Sequence, residues 1–480
     1  MSRKVILFEL NEVPFAVIDR FIRDEPASAV ARVYQRSRQY LTMAADTRQL
    51  DPWVTWPTLH RGVPDERHGI LHLGQQLARV DAEYPPIWQI LRGAGRSVGV
   101  FGSLHSSNVP KDMAEYAFYA PDVFADRVQT HPAHLSGFQA FNLAMTRASA
   151  RNVTRGLPWS ETVGFLASIP RLGIRPTTAV AVATQVASEV VHPERKVRRR
   201  ALQTRLMYDI FARLLERTRP DFATFYSNHV AAAMHRYWAA AFPDDYEGGE
   251  LDPAWLERYG EELHAAMAEF SNILSHLARF VLEHDEYVLM ITGSMGQAAI
   301  PNERTYEFLT VTDADRFASQ LGAPAGSWRQ RFAMVPCLSL EVDEAYRAAA
   351  CARLETLVVG GKRMVRDHRP IAPLSYDESD GALHVFVQFD NYAGPGIAEI
   401  GGQVAALADL GLGMMAHEDG VNCTAQHVPE GALVVFDPRV RAPWDGARPA
   451  ISTLDIVPSL LANFGVKRPA YLEGVANVAL

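Results

Sequence analysis

Four short apolar runs constrain this chain more than any other feature. VILFEL at Val5–Leu10, SVGVFGS at Ser97–Ser103, DFATFYS at Asp221–Ser227 and YVLMIT at Tyr287–Thr292 read as strands. The first is β-branched and nearly continuous, as a strand buried on both faces must be. Helical patterns separate the runs: PFAVIDRFI with Pro14 near its first turn, Pro86–Ala94 stopped by Gly93 and Gly95, and long apolar spacing over Ala254–Glu283. Strand–helix–strand alternation implies right-handed crossovers and a doubly wound, mostly parallel α/β sheet. In such a sheet ligands sit at the carboxyl ends of the strands. The first strand delivers Glu9, Asn11 and Glu12 there.

The stretch Asp51–Gly74, DPWVTWPTLHRGVPDERHGILHLG, is different in kind. Hydroxyls, imidazoles, Pro and Gly crowd together, which suits neither a buried strand nor an amphipathic helix. It reads as a loop leading into a helix start, where free N–H groups and the helix dipole favour an anion. The other reading is an ordered connection whose histidines pack locally.

The 480 residues suffice for a large core, and a composition 48% hydrophobic and 21% charged is that of a globular protein. A net charge of −8 argues against general nucleic-acid binding. The three cysteines, Cys337, Cys351 and Cys423, form neither a metal motif nor a disulfide framework. With no leader-like N-terminus and no apolar stretch of membrane-spanning length, the expected location is the cytoplasm. The expected organisation is an α/β core in three parts, 1–121, 220–330 and 396–480. It is interrupted by a helical insertion or lid at 122–219 and a small β-rich subdomain at 331–395. The basic run ERKVRRR at Glu194–Arg200 reads as a solvated helix face, with steering of an anion as the alternative.

Taken in order, several segments resemble the alkaline phosphatase superfamily, in its type I phosphodiesterase/nucleotide pyrophosphatase branch. VILFELNEV resembles the opening strand that ends in Asp-Gly, and PTLHRGVPDERHGI the segment after the nucleophile. DFATFYSNHVAAAMHRYW resembles the strand carrying an Asp-x-x-x-His pair, and YVLMITGSMGQ stands where Ser-Asp-His-Gly is usual. TAQHVPEGALVVFDP resembles the late strand-end histidine, and STLDIVPSLLANFGVKRP the closing helix, capped by Ser452 or Thr453. The resemblance implies an alkaline-phosphatase-like sheet with a small C-terminal α+β segment. It also implies two divalent ions that activate a Thr or Ser nucleophile.

The departures fall on that chemistry. One ion site reads Asn11, Ser294 and Met295, where amide, hydroxyl and thioether replace two carboxylates and an imidazole, so the resemblance leaves at most one ion. The other retains His235 and His427 as metal ligands, with zinc the first candidate; no metal at all is the alternative. The aspartate slot is Ala231 unless Asn228 or His229 substitutes. Counting back from Gly62 puts the nucleophile slot at Pro52. Either Thr55 or Thr58 has taken the role or there is no nucleophile. Glu9 or Glu12 would serve as base, and Asn11, His60, Asn228, Ser294 and Gln297 would bind substrate. The implied activity is hydrolysis or group transfer on a small anionic phosphate or sulfate ester. A non-catalytic relative binding such a ligand, or a protein partner, is the alternative.

Overall fold

The structure is a computed structural model that describes residues 2–46, 49–149, 159–246, 252–300, 307–367, 373–416 and 424–480. Eight strands build its main sheet: β1 (Lys4–Leu10), β2 (Arg38–Met43), β3 (Val98–Phe101), β4 (Phe118–Ala120), β5 (Phe222–Ser227), β6 (Tyr287–Thr292), β7 (Glu430–Phe436) and β8 (Ala450–Ser452). Their order is β8-β2-β7-β6-β1-β5-β3-β4. Only β7 runs against its neighbours; every other pairing is parallel. The doubly wound arrangement expected from the strand pattern is therefore present.

Side-chain alternation along β1 shows how the sheet is wrapped. Ile6, Phe8 and Leu10 enter one apolar layer with Phe211, Phe270 and Leu274 from the long helices Arg199–Thr218 and Glu262–Glu283. Val5 and Leu7 enter the opposite layer with Trp56, Trp88, Val457 and Leu460. Burial on both faces is why these strands are written as unbroken apolar runs. Register aligns the strand ends: Leu10 lies opposite Ser227, and Glu9 opposite Thr292. The loops after β1, β5 and β6 consequently open on one edge.

A second body of small sheets and two helices is built from strands between Glu307 and Ala416, with its own apolar core. It reaches further on both sides than the 331–395 run of short strands and turns. Within it, Val358–Val359 and Lys362–Arg363 pair as a hairpin. The helical segment inserted between β4 and β5 holds Ser136–Ser149, Trp159–Leu172, Pro176–Val191 and Arg199–Thr218. No helix of the described residues is long and apolar enough to cross a membrane. Cys337 and Cys351 are free, and Cys423 lies outside the described residues.

The stretch expected as a loop begins as a ten-residue helix, Pro52–Arg61. Pro52 stands at its first turn, where a missing N–H costs nothing. Pro57, inside the helix, cannot donate to the Trp53 carbonyl four residues back. His105 supplies the absent donor, its Nε2 bonding to that carbonyl at 2.7 Å. Burial pushes the His105 imidazole down to about 3, so it donates as the neutral tautomer.

Candidate active site

Past the end of β1 the backbone turns into the left-handed region at Glu12, with φ +61°. A non-glycine residue holds that conformation at a cost of about 1–2 kcal/mol. Here the turn places a carboxylate, only 2% exposed, where three other segments meet. Asn11 Nδ2 donates to its Oε1 at 2.6 Å, and Gln297 Nε2 donates to its Oε2. His235 Nε2 lies 2.9 Å and His427 Nε2 3.4 Å from Oε2, and the two Nε2 atoms are 3.3 Å apart.

Each imidazole is aimed by its other nitrogen. His235 comes from the helix His229–Ala241, and its Nδ1 faces the Ala425 carbonyl at 3.3 Å. A carbonyl only accepts, so Nδ1 donates to it, and Nε2 faces Glu12. His427 sits on the short strand Ala425–Val428, directly opposite Gln297 on the antiparallel strand Gly296–Ala299. Its Nδ1 faces Asp51 Oδ1 at 3.4 Å. Asp51 is the N-cap position of the Pro52–Arg61 helix, and Gln49 Nε2 also donates to its carboxylate.

Burial alone would raise the Glu12 carboxyl, but the charges of His427 and His235 hold it well below the usual carboxylate range. Burial likewise opposes charge on His427, and Glu12 and Asp51 outweigh it, raising that imidazole to about 9.

Glu12, His235 and His427 offer three donor atoms within 4.8 Å of one another. Their separations of 2.9, 3.3 and 3.4 Å are close to the edges of a tetrahedron around a divalent ion with bonds of about 2.0–2.1 Å. One carboxylate and two imidazoles, each imidazole oriented through Nδ1, is a donor set suited to zinc.

The remaining residues singled out from the sequence fall into separate groups. Asn11 bridges to Asn228 Oδ1 at 2.7 Å and accepts from Trp56 Nε1 at 2.7 Å, which ties β1, β5 and the Pro52–Arg61 helix together. Thr55 and Ser294 share a hydrogen bond of 2.7 Å, both fully buried, and Thr55 Oγ1 also donates to the Asp51 carbonyl at 3.2 Å. Met295 is buried as well. Glu9 is turned to the opposite side of the sheet edge from Glu12. It accepts from His60 at 2.8 Å and Ser103 at 3.1 Å with no exposure to solvent. Thr58 is likewise enclosed, bonded to Asp46 and to His68 at 2.9 Å. Glu9, His60 and Thr58 are thus not brought to the three-residue cluster.

His229 does not fill the slot left by Ala231. Its ring bonds Ser227 and the Ala266 carbonyl, and burial pushes it down to about 4. The third donor beside the two imidazoles is Glu12, and the carboxylate aiming His427 is Asp51, which sequence reasoning did not single out. The available signal was Asp51's position immediately before Pro52, the slot reached by counting back from Gly62.

Asp51 also borders a cavity of about 210 Å³ between the Pro52–Arg61 helix start and the second body of sheets. Trp53, Met334 and Phe386 supply apolar walls. On one side His72 stacks on His384 at 3.6 Å between ring centres and bonds Asp377 at 3.1 Å.

No family model and no curated protein matches the chain. Solved structures similar to it include inactive murine ectonucleotide pyrophosphatase/phosphodiesterase 5 in complex with AMP, with a TM-score of 0.41 and 9% identity over 97% of this chain and 96% of that one. The human counterpart gives a TM-score of 0.40 and 9% identity, again over 97% and 96%. Phosphonoacetate hydrolase from Sinorhizobium meliloti 1021 in complex with phosphonoacetate gives 0.41 and 12% identity, over 96% of each chain. The chemistry of the cluster rests on this chain's own donor atoms.

Proposed function

We propose that the chain is an ester hydrolase of the alkaline phosphatase superfamily, acting on a small phosphate or sulfate ester with one divalent ion, zinc first among candidates. The observation that carries this is the convergence of Glu12, His235 and His427 at spacings that match the edges of a metal tetrahedron. A divalent ion held there would polarise an ester oxygen and offset charge on the transferring group. Asn11, Ser294 and Met295 are neutral and enclosed, which supports one ion rather than two.

Within this reading Asp51 has two tasks. It keeps His427 in the Nδ1–H tautomer, and as a carboxylate bordering the cavity it accepts the proton of the attacking water. Asn11 and Gln297 fix the Glu12 carboxylate. Thr55 supports the helix start through Ser294 instead of attacking, because its hydroxyl is buried and committed.

Turnover of aryl phosphate monoesters, diesters and aryl sulfates, with and without chelator, tests the assignment. Asp51→Asn and His427→Ala are each expected to lose about 100-fold or more, while Thr55→Ala stays within about tenfold. Loss in Thr55→Ala with Asp51→Asn intact would instead make Thr55 the attacking group. Binding of an anionic ligand without turnover is the second reading, favoured by the same neutral trio. Its signature is saturable phosphate or sulfate binding with no product.

A further inference from the structure

A second cavity lies at the far edge of the sheet from the site. It measures about 510 Å³, within the roughly 300–1,000 Å³ of small-molecule pockets. The helices Arg199–Thr218 and Glu262–Glu283 end beside it and lead into the starts of β5 and β6. Glu12, by contrast, follows the carboxyl end of β1.

The walls fix cations in place. Arg175 donates through its backbone N–H and its Nε to Asp209 at 2.8 and 2.6 Å, and its guanidinium covers the Tyr208 ring at 5.2 Å. That pair occupies Asp209, the buried carboxylate of the lining. Gly173 holds φ +81°, and a Cβ there would stand 2.1 Å from Arg213 Cδ. Only glycine lets the half-buried Arg213 side chain lie across this turn. Arg213, Arg219 and Arg279, all in the lining, form no salt bridge among the described residues. Glu216 and Glu283 also border the cavity, but both are exposed and pair with none of these arginines.

Arg279 Nη2 donates to His276 Nδ1 at 2.6 Å, which leaves the neutral ring's proton on Nε2. Burial, with Arg175 and Arg279 nearby, pushes that imidazole down. Past the cavity, burial and the charges of Arg217, Arg213 and Arg171 do the same to His134. In a chain of net charge −8 this is a local surplus of positive charge and hydrogen-bond donors. A guanidinium whose fork is unoccupied matches a phosphate or a carboxylate.

We infer that this cavity binds a small polyanion, its phosphate or carboxylate oxygens held by Arg213 and Arg279. Binding at this edge is independent of the ester chemistry assigned above.

Isothermal titration of the full chain, freed of metal by chelator and then dialysed, tests it. Methylenediphosphonate is the phosphate-like probe and citrate the carboxylate one. Expected is saturable binding of at least one probe, weakened at least about tenfold in Arg213→Ser and in Arg279→Ser and unchanged in Glu12→Gln. The tighter probe identifies the oxyanion. Arg213→Lys keeps the charge without the fork and should recover part of the loss. Arg279 is exposed, so its variant should melt as wild type does. The inference is overturned if neither probe binds, or if either serine variant binds as well as wild type. It is equally overturned if Glu12→Gln abolishes binding, since the anion then sits in the three-residue cluster.

Discussion

Replacing Glu12 by Gln keeps the shape of the side chain and removes the charge on which His235 and His427 converge. The rise of His427 from its ordinary 6.5 to about 9, the balance left after burial opposes the charge and Glu12 and Asp51 favour it, corresponds to roughly 3 kcal/mol of net stabilisation of the charged imidazole. The sign follows from linkage. A histidine raised on folding contributes stability that is fully present below 6.5 and lost as pH rises through about 9. Glu12, held below 4.5, contributes stability present above that value and lost as pH falls through its lowered folded value. Both shifts describe largely one cluster and are counted once. In metal-free protein the advantage of wild type over Glu12→Gln should therefore be greatest between 4.5 and 6.5. Urea unfolding in chelator at about pH 6 and about pH 10 measures it, and the wild-type-minus-variant difference should shrink by up to roughly 3 kcal/mol at the higher pH. A difference that is the same at both values would refute the charge pairing at Glu12.

Two further substitutions test the supports of the site. Asp46 is raised by burial to about 7, so it destabilises the fold increasingly as pH rises from 3.8 through 7. Asp46→Asn, which can still accept from Thr58, should raise the melting temperature at about pH 8 and do little at about pH 4. His105→Ala leaves the Trp53 carbonyl without its donor beside Pro57 and should cost about 1–3 kcal/mol in denaturant unfolding; no loss would mean that the helix start tolerates the unpaired carbonyl.

The strands were legible because burial on both faces leaves them unbroken: Tyr287–Thr292 has the observed limits, and Val5–Leu10 and Asp221–Ser227 differ by one residue. The start of the closing helix was legible from its cap, since Ser452 and Asp455 form a reciprocal capping box on the 3-10 turn Thr453–Asp455 that leads directly into the helix Ile456–Phe464. The Pro52–Arg61 helix was not, because the bond that excuses Pro57 comes from His105, nearly fifty residues on, and no local pattern announces it. Glu9 and Glu12 look alike in sequence. They part because strand alternation sends Glu9 toward His60, while a left-handed turn, invisible in composition, swings Glu12 to the histidines. His235 and His427 came from the resemblance, yet the carboxylate completing them came from a different segment than the one that resemblance names.

The most direct test of the single-ion account is elemental analysis of the purified chain after dialysis, read beside zinc titration of wild type, Glu12→Gln and His427→Ala. The account predicts one tightly held divalent ion per wild-type chain, removed by chelator, and an affinity at least about 10–100-fold weaker in each variant. Stoichiometric metal that both variants retain at wild-type affinity, or a wild-type chain that binds no divalent ion, would contradict it.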